Sequence, residues 1–114
     1  MNAKAHHGQG NENLAKKKYF NSLTDYLIAL GDYARARDEL NVPPILTNLK
    51  QVIPLLFEDD FEHKNGLENR ITKAIDAVDD INTNHRYDND LRDLNELISS
   101  AKSRARPIAP AVKA

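Results

Sequence analysis

Apolar residues recur along this chain at steps of three and four, and no segment shows the alternation of a strand, so the spacing predicts helices throughout. From about Asn13 to Leu40, the residues Phe20, Leu23, Leu27, Leu30 and Ala34 form a seam with heptad spacing. Beside it runs a second row, Tyr19, Tyr26, Tyr33 and Leu40, each seven residues from the next. Seven residues is nearly two helical turns, so this row lies along one side of the same helix. The resulting apolar face is wide enough to touch two neighbouring helices, or one neighbour and a partner.

Asn41-Val42-Pro43-Pro44 breaks the pattern, and Pro44 suits the first turn of a new helix. That second helix covers about Pro44 to Phe57 and is the most apolar segment, with Ile45, Leu46, Leu49, Val52, Ile53, Leu56 and Phe57. Pro54 removes a backbone donor inside it, which predicts a kink or a short new helix at that point. Glu58-Asp59-Asp60 turns the chain. A third helix follows from about Gly66 to Asn82, with Asn65 as its cap and Glu68 as the capping-box partner. A fourth runs from Asn89 to about Arg106, capped by Asp88, with Lys102, Arg104 and Arg106 complementing its dipole.

The ends differ from this body. Residues 1–12 hold no large apolar residue besides Met1, so they predict a disordered tail. Residues 107–114 carry two prolines without helical period and predict an extended tail. The reading is therefore an all-α chain with a single helical domain over 13–106, a compact antiparallel bundle of four helices between two tails. Leu27, Leu30, Leu49, Ile53, Ile75, Val78, Leu94 and Ile98 sit centrally in the four apolar stripes and are expected to share one core. The first helix is much longer than the other three, which makes a homodimer one way of covering its excess.

Composition narrows the chemistry. The 114 residues contain no cysteine, which removes disulfide scaffolds, thiol catalysis and cysteine-bound zinc. No apolar run approaches a membrane span, and the first residues lack the apolar stretch of a signal peptide. These features lead to the expectation of a cytoplasmic protein with no membrane contact. The net charge of -1 hides an asymmetry. Residues 1–57 carry a net +2, residues 58–96 a net -7 and residues 97–114 a net +4. Basic ends with an acidic middle do not make a general polyanion binder.

Candidate sites fail mostly on spacing. Asp80 to His85 resembles the start of a calcium loop, but His85 stands where glycine is needed and Leu91 where a bidentate glutamate is needed. Asp60-x-x-His63 has the spacing of a di-iron ligand pair, without a second pair to complete it. His6-His7 offers two ligands and no more. Ser99, Ser100 and Ser103 have no neighbouring histidine in sequence, and the four glycines form no phosphate loop. Gly31, in mid-helix, points to close packing or a mild bend. The acidic stretch from Glu58 to Glu62, with Asp76, Asp79 and Asp80, suits either solubility or a basic partner.

The expected function is accordingly non-enzymatic, with no cofactor and no metal. The chain reads as a small interaction module — an adaptor, assembly subunit or regulator — that binds another protein, or a second copy of itself, through its first helix. Tyr19, Tyr26 and Tyr33 would supply contact area, and Lys16, Lys17, Lys18, Arg35 and Arg37 a charged rim. The alternative is a nucleic-acid-binding accessory that uses the tyrosines with the basic residues near both ends, Lys102, Arg104 and Arg106 included.

Overall fold

In the computed structural model, which describes residues 2–62 and 66–107, every regular element is helical. There are six α-helices among the described residues: α1 (Ala3–Ala15), α2 (Tyr19–Arg35), α3 (Val42–Val52), α4 (Glu58–Glu62), α5 (Leu67–Ile81) and α6 (Asp88–Lys102). A short 3-10 turn, Ile53–Leu55, follows α3. None of these helices is long and apolar enough to cross a membrane. The all-α reading therefore holds, while the count of four helices does not.

The first correction concerns the N-terminal segment. Residues 1–12 were expected to be disordered, yet α1 begins at Ala3, with the Asn2 side chain accepting a hydrogen bond from the Ala5 N–H. Its composition gives it no apolar stripe. Its order comes from docking on α2, a tertiary contact that a periodicity argument does not register.

The second correction concerns the first long helix. It does not run unbroken from Asn13 to Leu40 but splits at Lys16-Lys17-Lys18. Lys17 takes a left-handed backbone, with φ of 60°. The Lys17 N–H bonds to the Leu14 carbonyl and the Lys18 N–H to the Asn13 carbonyl, which closes α1 as a Schellman motif. α2 ends the same way: Arg37 has φ of 56°, its N–H reaches the Ala34 carbonyl, and the Asp38 N–H reaches the Tyr33 carbonyl. Both left-handed positions hold long basic side chains where glycine is the comfortable residue.

The remaining helices follow the apolar pattern closely. Pro54 lies in the 3-10 turn, so α3 stops at Val52 and the predicted junction is present. Arg104 holds this turn from far along the chain: its Nε donates to the Leu56 carbonyl at 3.1 Å and its Nη2 to the Pro54 carbonyl at 2.9 Å. For that purpose Arg104 has left α6, which ends at Lys102 rather than near Arg106. Arg104 and Arg106 both lie over the Phe57 ring, at 5.4 and 4.7 Å from its centre. Between α5 and α6, the Asn82 side chain accepts from the Tyr87 N–H and donates to Asp88, while Asp88 itself is the first helical residue and not the cap. Gly66, with φ of 87°, precedes α5; the expected cap Asn65 lies outside the described residues, as do residues 108–114 of the expected extended tail.

α2 is the central element, packed against α1, α3 and α5, with α6 closing over α3, the 3-10 turn and α4. Leu27, Leu30, Leu49, Ile53, Val78, Leu94 and Ile98 are buried in one core, and Ile75 is half-buried against it.

Candidate functional site

The surface of α2 decides which sequence-derived contacts remain accessible. Tyr26 has no exposure and Tyr33 only 6%. The wide face of this helix is thus occupied within the chain itself. α1 folds back and crosses α2 at Gly10, where a side-chain Cβ would stand 2.5 Å from two Tyr26 ring carbons. Only a glycine lets the Tyr26 ring lie this close to the α1 backbone. The Tyr26 hydroxyl donates to Asn11 Oδ1 at 2.6 Å, and the Ser22 hydroxyl donates to the Gly10 carbonyl at 2.8 Å. The His7 ring stands edge-on to both Tyr26 and Tyr33, at 6.0 and 6.1 Å between centres, and its Nε2 meets Asn48 Oδ1 of α3 at 2.9 Å. Asp25 ties the helix pair twice, accepting from Asn13 Nδ2 at 2.9 Å and meeting His6 Nδ1 at 3.0 Å.

Tyr26 and Tyr33 therefore belong to the interior of this chain, and an external partner does not reach them while α1 is docked. Tyr19 alone of the row is half-exposed. Leu40, the fourth member, has left the helix and is 89% exposed in the loop before α3.

Burial raises the Tyr26 hydroxyl above its ordinary value of 10.0, opposed by the adjacent Ser22. Tyr33 is raised by burial and by the Asp38 carboxylate. Tyr87 is raised by burial and by Glu39, to which its hydroxyl donates at 3.1 Å. The fold holds all three in the neutral form. Their contribution to stability is complete below the ordinary tyrosine value and is lost as pH rises through their folded values. Alkaline titration followed at the tyrosinate absorbance band should show late, steep ionisation that coincides with loss of helical circular dichroism. Gradual ionisation with intact helix would contradict this.

The basic residues divide into separate places. Lys16 pairs with Glu12 on the exposed side of α1. Lys17 and Lys18 meet Tyr19, Phe20, Asn21, Leu55, Asp60 and Arg106 around an open cavity of about 390 Å³. Arg106 is committed there to Asp59 and Asp60, at 3.1 and 2.9 Å, which offsets one of the four negative charges of the acidic turn. Arg37 caps α2, and Lys102 pairs with Glu68.

Arg35 has a different setting. It stands over Gly31, paired with Asp32 at 3.2 Å, on the side of α2 away from α1. There α2 and α5 form a groove of about 210 Å³, floored by Leu27, Ile28, Gly31 and Ala74 and edged by Arg35, Arg70 and Lys73. Arg70 and Lys73 make no ion pair among the described residues, and both are exposed. Sequence reasoning missed these two cations. Their signal was present only as the polar side of the third amphipathic helix, with nothing to say which neighbour that side met. Gly31, expected to mark close packing or a mild bend, lies in the groove floor beneath Arg35.

Metal chemistry finds no support from grouping: no cluster of three or more potential ligands occurs among the described residues. His63 of the Asp60-x-x-His63 spacing lies outside them. His85, in the segment that resembles a calcium loop, has φ of 59° and faces Asp88 at 3.1 Å as part of an exposed helix-to-helix turn. No family model, no curated protein and no solved structure matches this chain.

Proposed function

We propose that this protein is a non-enzymatic helical interaction module that receives an acidic segment of another protein along the α2–α5 groove. The observation that carries this reading is the meeting of Arg35, Arg70 and Lys73 around an apolar floor. Two of these cations have no described carboxylate to neutralise them. An apolar floor supplies area, and uncommitted cations at its edge select acidic partners and speed encounter. This reading places the partner against α2, with Arg35 retained from the expected rim and Ile28 and its neighbours in place of the tyrosine row. The nucleic-acid reading has less in its favour: Arg106, the cation that joins Lys17 and Lys18, is already held by two carboxylates.

A photoactivatable cross-linker at half-exposed Ile28, used in native host extract, tests the proposal. The expected product joins this groove to a peptide rich in Asp and Glu, as mapped by mass spectrometry. Its yield should fall at least about tenfold in the Arg70→Glu, Lys73→Glu variant, in line with reversal of close charge pairs. A captured peptide without acidic excess, a captured polynucleotide, or a yield indifferent to charge reversal would reject it.

A further inference from the structure

We infer that α1 is an exchangeable element, and that a second copy of this chain is a partner whose α1 takes the same seat on α2. The seat is made largely of polar contacts. Apart from Leu14, the apolar residues of α1 are alanines, and its one buried residue is Gly10. What holds it are side-chain hydrogen bonds made with His6, His7, Asn11 and Asn13, the Ser22 hydroxyl on the Gly10 carbonyl, and the Tyr26 ring lying against Gly10. An α1 from a second copy makes every one of these contacts equally well. The choice between a closed monomer and an exchanged dimer then lies in the hinge alone.

That hinge contains nothing that obliges the chain to turn. Lys16-Lys17-Lys18 has neither glycine nor proline, and lysine is a good helix former. In the closed form Lys17 is held in the left-handed region, which is unfavourable for a residue with a Cβ. Straightening the hinge joins α1 and α2 into one helix over residues 3–35 and returns Lys17 to ordinary helical backbone. It also frees the Tyr26 and Tyr33 face for the α1 of the second copy. Two forces oppose this. A three-residue hinge gives the chain's own α1 a high effective concentration. Exchange also brings two lysine triplets together near the two-fold axis, where they repel. The dimer is therefore favoured by high protein concentration and by anions that neutralise the triplets. The α2–α5 groove lies on the opposite side of α2 and stays open in both forms.

The chain has no cysteine of its own, so every disulfide comes from an introduced pair, and replacing Asn13 and Asp25 weakens the seat equally in the closed and exchanged forms. Asn13 and Asp25 touch across it at 2.9 Å. The Asn13→Cys, Asp25→Cys variant, refolded over a range of concentrations in sodium chloride or sodium sulfate and then oxidised, is read on a denaturing non-reducing gel. A closed molecule gives an internal link at monomer mass; an exchanged pair gives a covalent dimer. The same variant is made with Lys17→Ile, which resists the left-handed region, and with Lys17→Gly, which accepts it. The covalent dimer should rise with concentration and with sulfate. The dimer association constant should be at least about tenfold greater with Lys17→Ile than with Lys17→Gly, since each of two hinges changes preference. If Lys17→Ile does not fold, the parent hinge against Lys17→Gly carries the comparison in the same direction. Internal links only, at every concentration, overturn the inference. So do dimer yields that are equal for the two hinge residues.

Discussion

Tyr26→Ala should lower folding stability by about 3–5 kcal/mol, the range for deleting a fully buried aromatic side chain. The Tyr26 ring has no exposure, lies against Gly10 and His7, and sends its hydroxyl to Asn11. Alanine removes the ring from the contact between α1 and α2 and opens a cavity that Gly10 cannot fill. Tyr26→Phe keeps the ring and loses only the bond to Asn11, so it should cost about 0.5–1.5 kcal/mol. Denaturant titration of both variants checks the pair. Equal, small losses would mean that Tyr26 is a surface residue, contrary to its position here.

Gly10→Val should dislodge α1 while leaving the rest of the chain folded. The new Cβ falls 2.5 Å from the Tyr26 ring, and a ring without exposure has nowhere to move. Gly8 is the matched control, because a Cβ there meets nothing within 4 Å. Both substitutions have the same intrinsic effect on helix formation, so the difference between them isolates the steric clash. Lys16, Lys17 and Lys18 make the hinge itself a tryptic site. Cleavage there should be at least about tenfold faster in Gly10→Val than in Gly8→Val, since about 1.4 kcal/mol or more of docking energy is lost. Cleavage at similar rates would show that the close approach at Gly10 does not hold α1.

α3, α5 and α6 were legible because each is amphipathic and is bounded by residues with strong local preferences. Pro43 and Pro44 lie in the first turn of α3, which starts at Val42 rather than at the expected Pro44, Pro54 ends it, and Gly66 precedes α5. α1 was not legible, since its residues carry no helical period and its order depends on where Tyr26 and Asp25 stand in the folded chain. The break at Lys16-Lys17-Lys18 was hidden for a related reason. Helix formers occupy it, and the turn exists because α1 has a seat to return to. The tyrosine row was found by its seven-residue spacing, but spacing does not say whether the covering helix comes from another molecule or from residues 3–15 of the same one. Likewise Arg35 was singled out, while Arg70 and Lys73 join it only through the packing of α5 on α2.

The guanidinium of Arg104 completes a turn that lies 48 positions upstream, at Leu56. A helical hairpin such as α1–α2 involves neighbours in sequence and assembles as soon as its own residues are available. The segment from Ile53 to Glu58 cannot do so. Its carbonyls at Pro54 and Leu56, and the Glu58 N–H that bonds to the Arg104 carbonyl, all await a residue made much later. During synthesis, which proceeds from the N-terminus, the most apolar stretch of the chain is therefore translated well before its clasp. The order in which the ribosome delivers these residues leaves the 3-10 turn without its clasp until the end of α6 has been made, although α3 can already lie against α2.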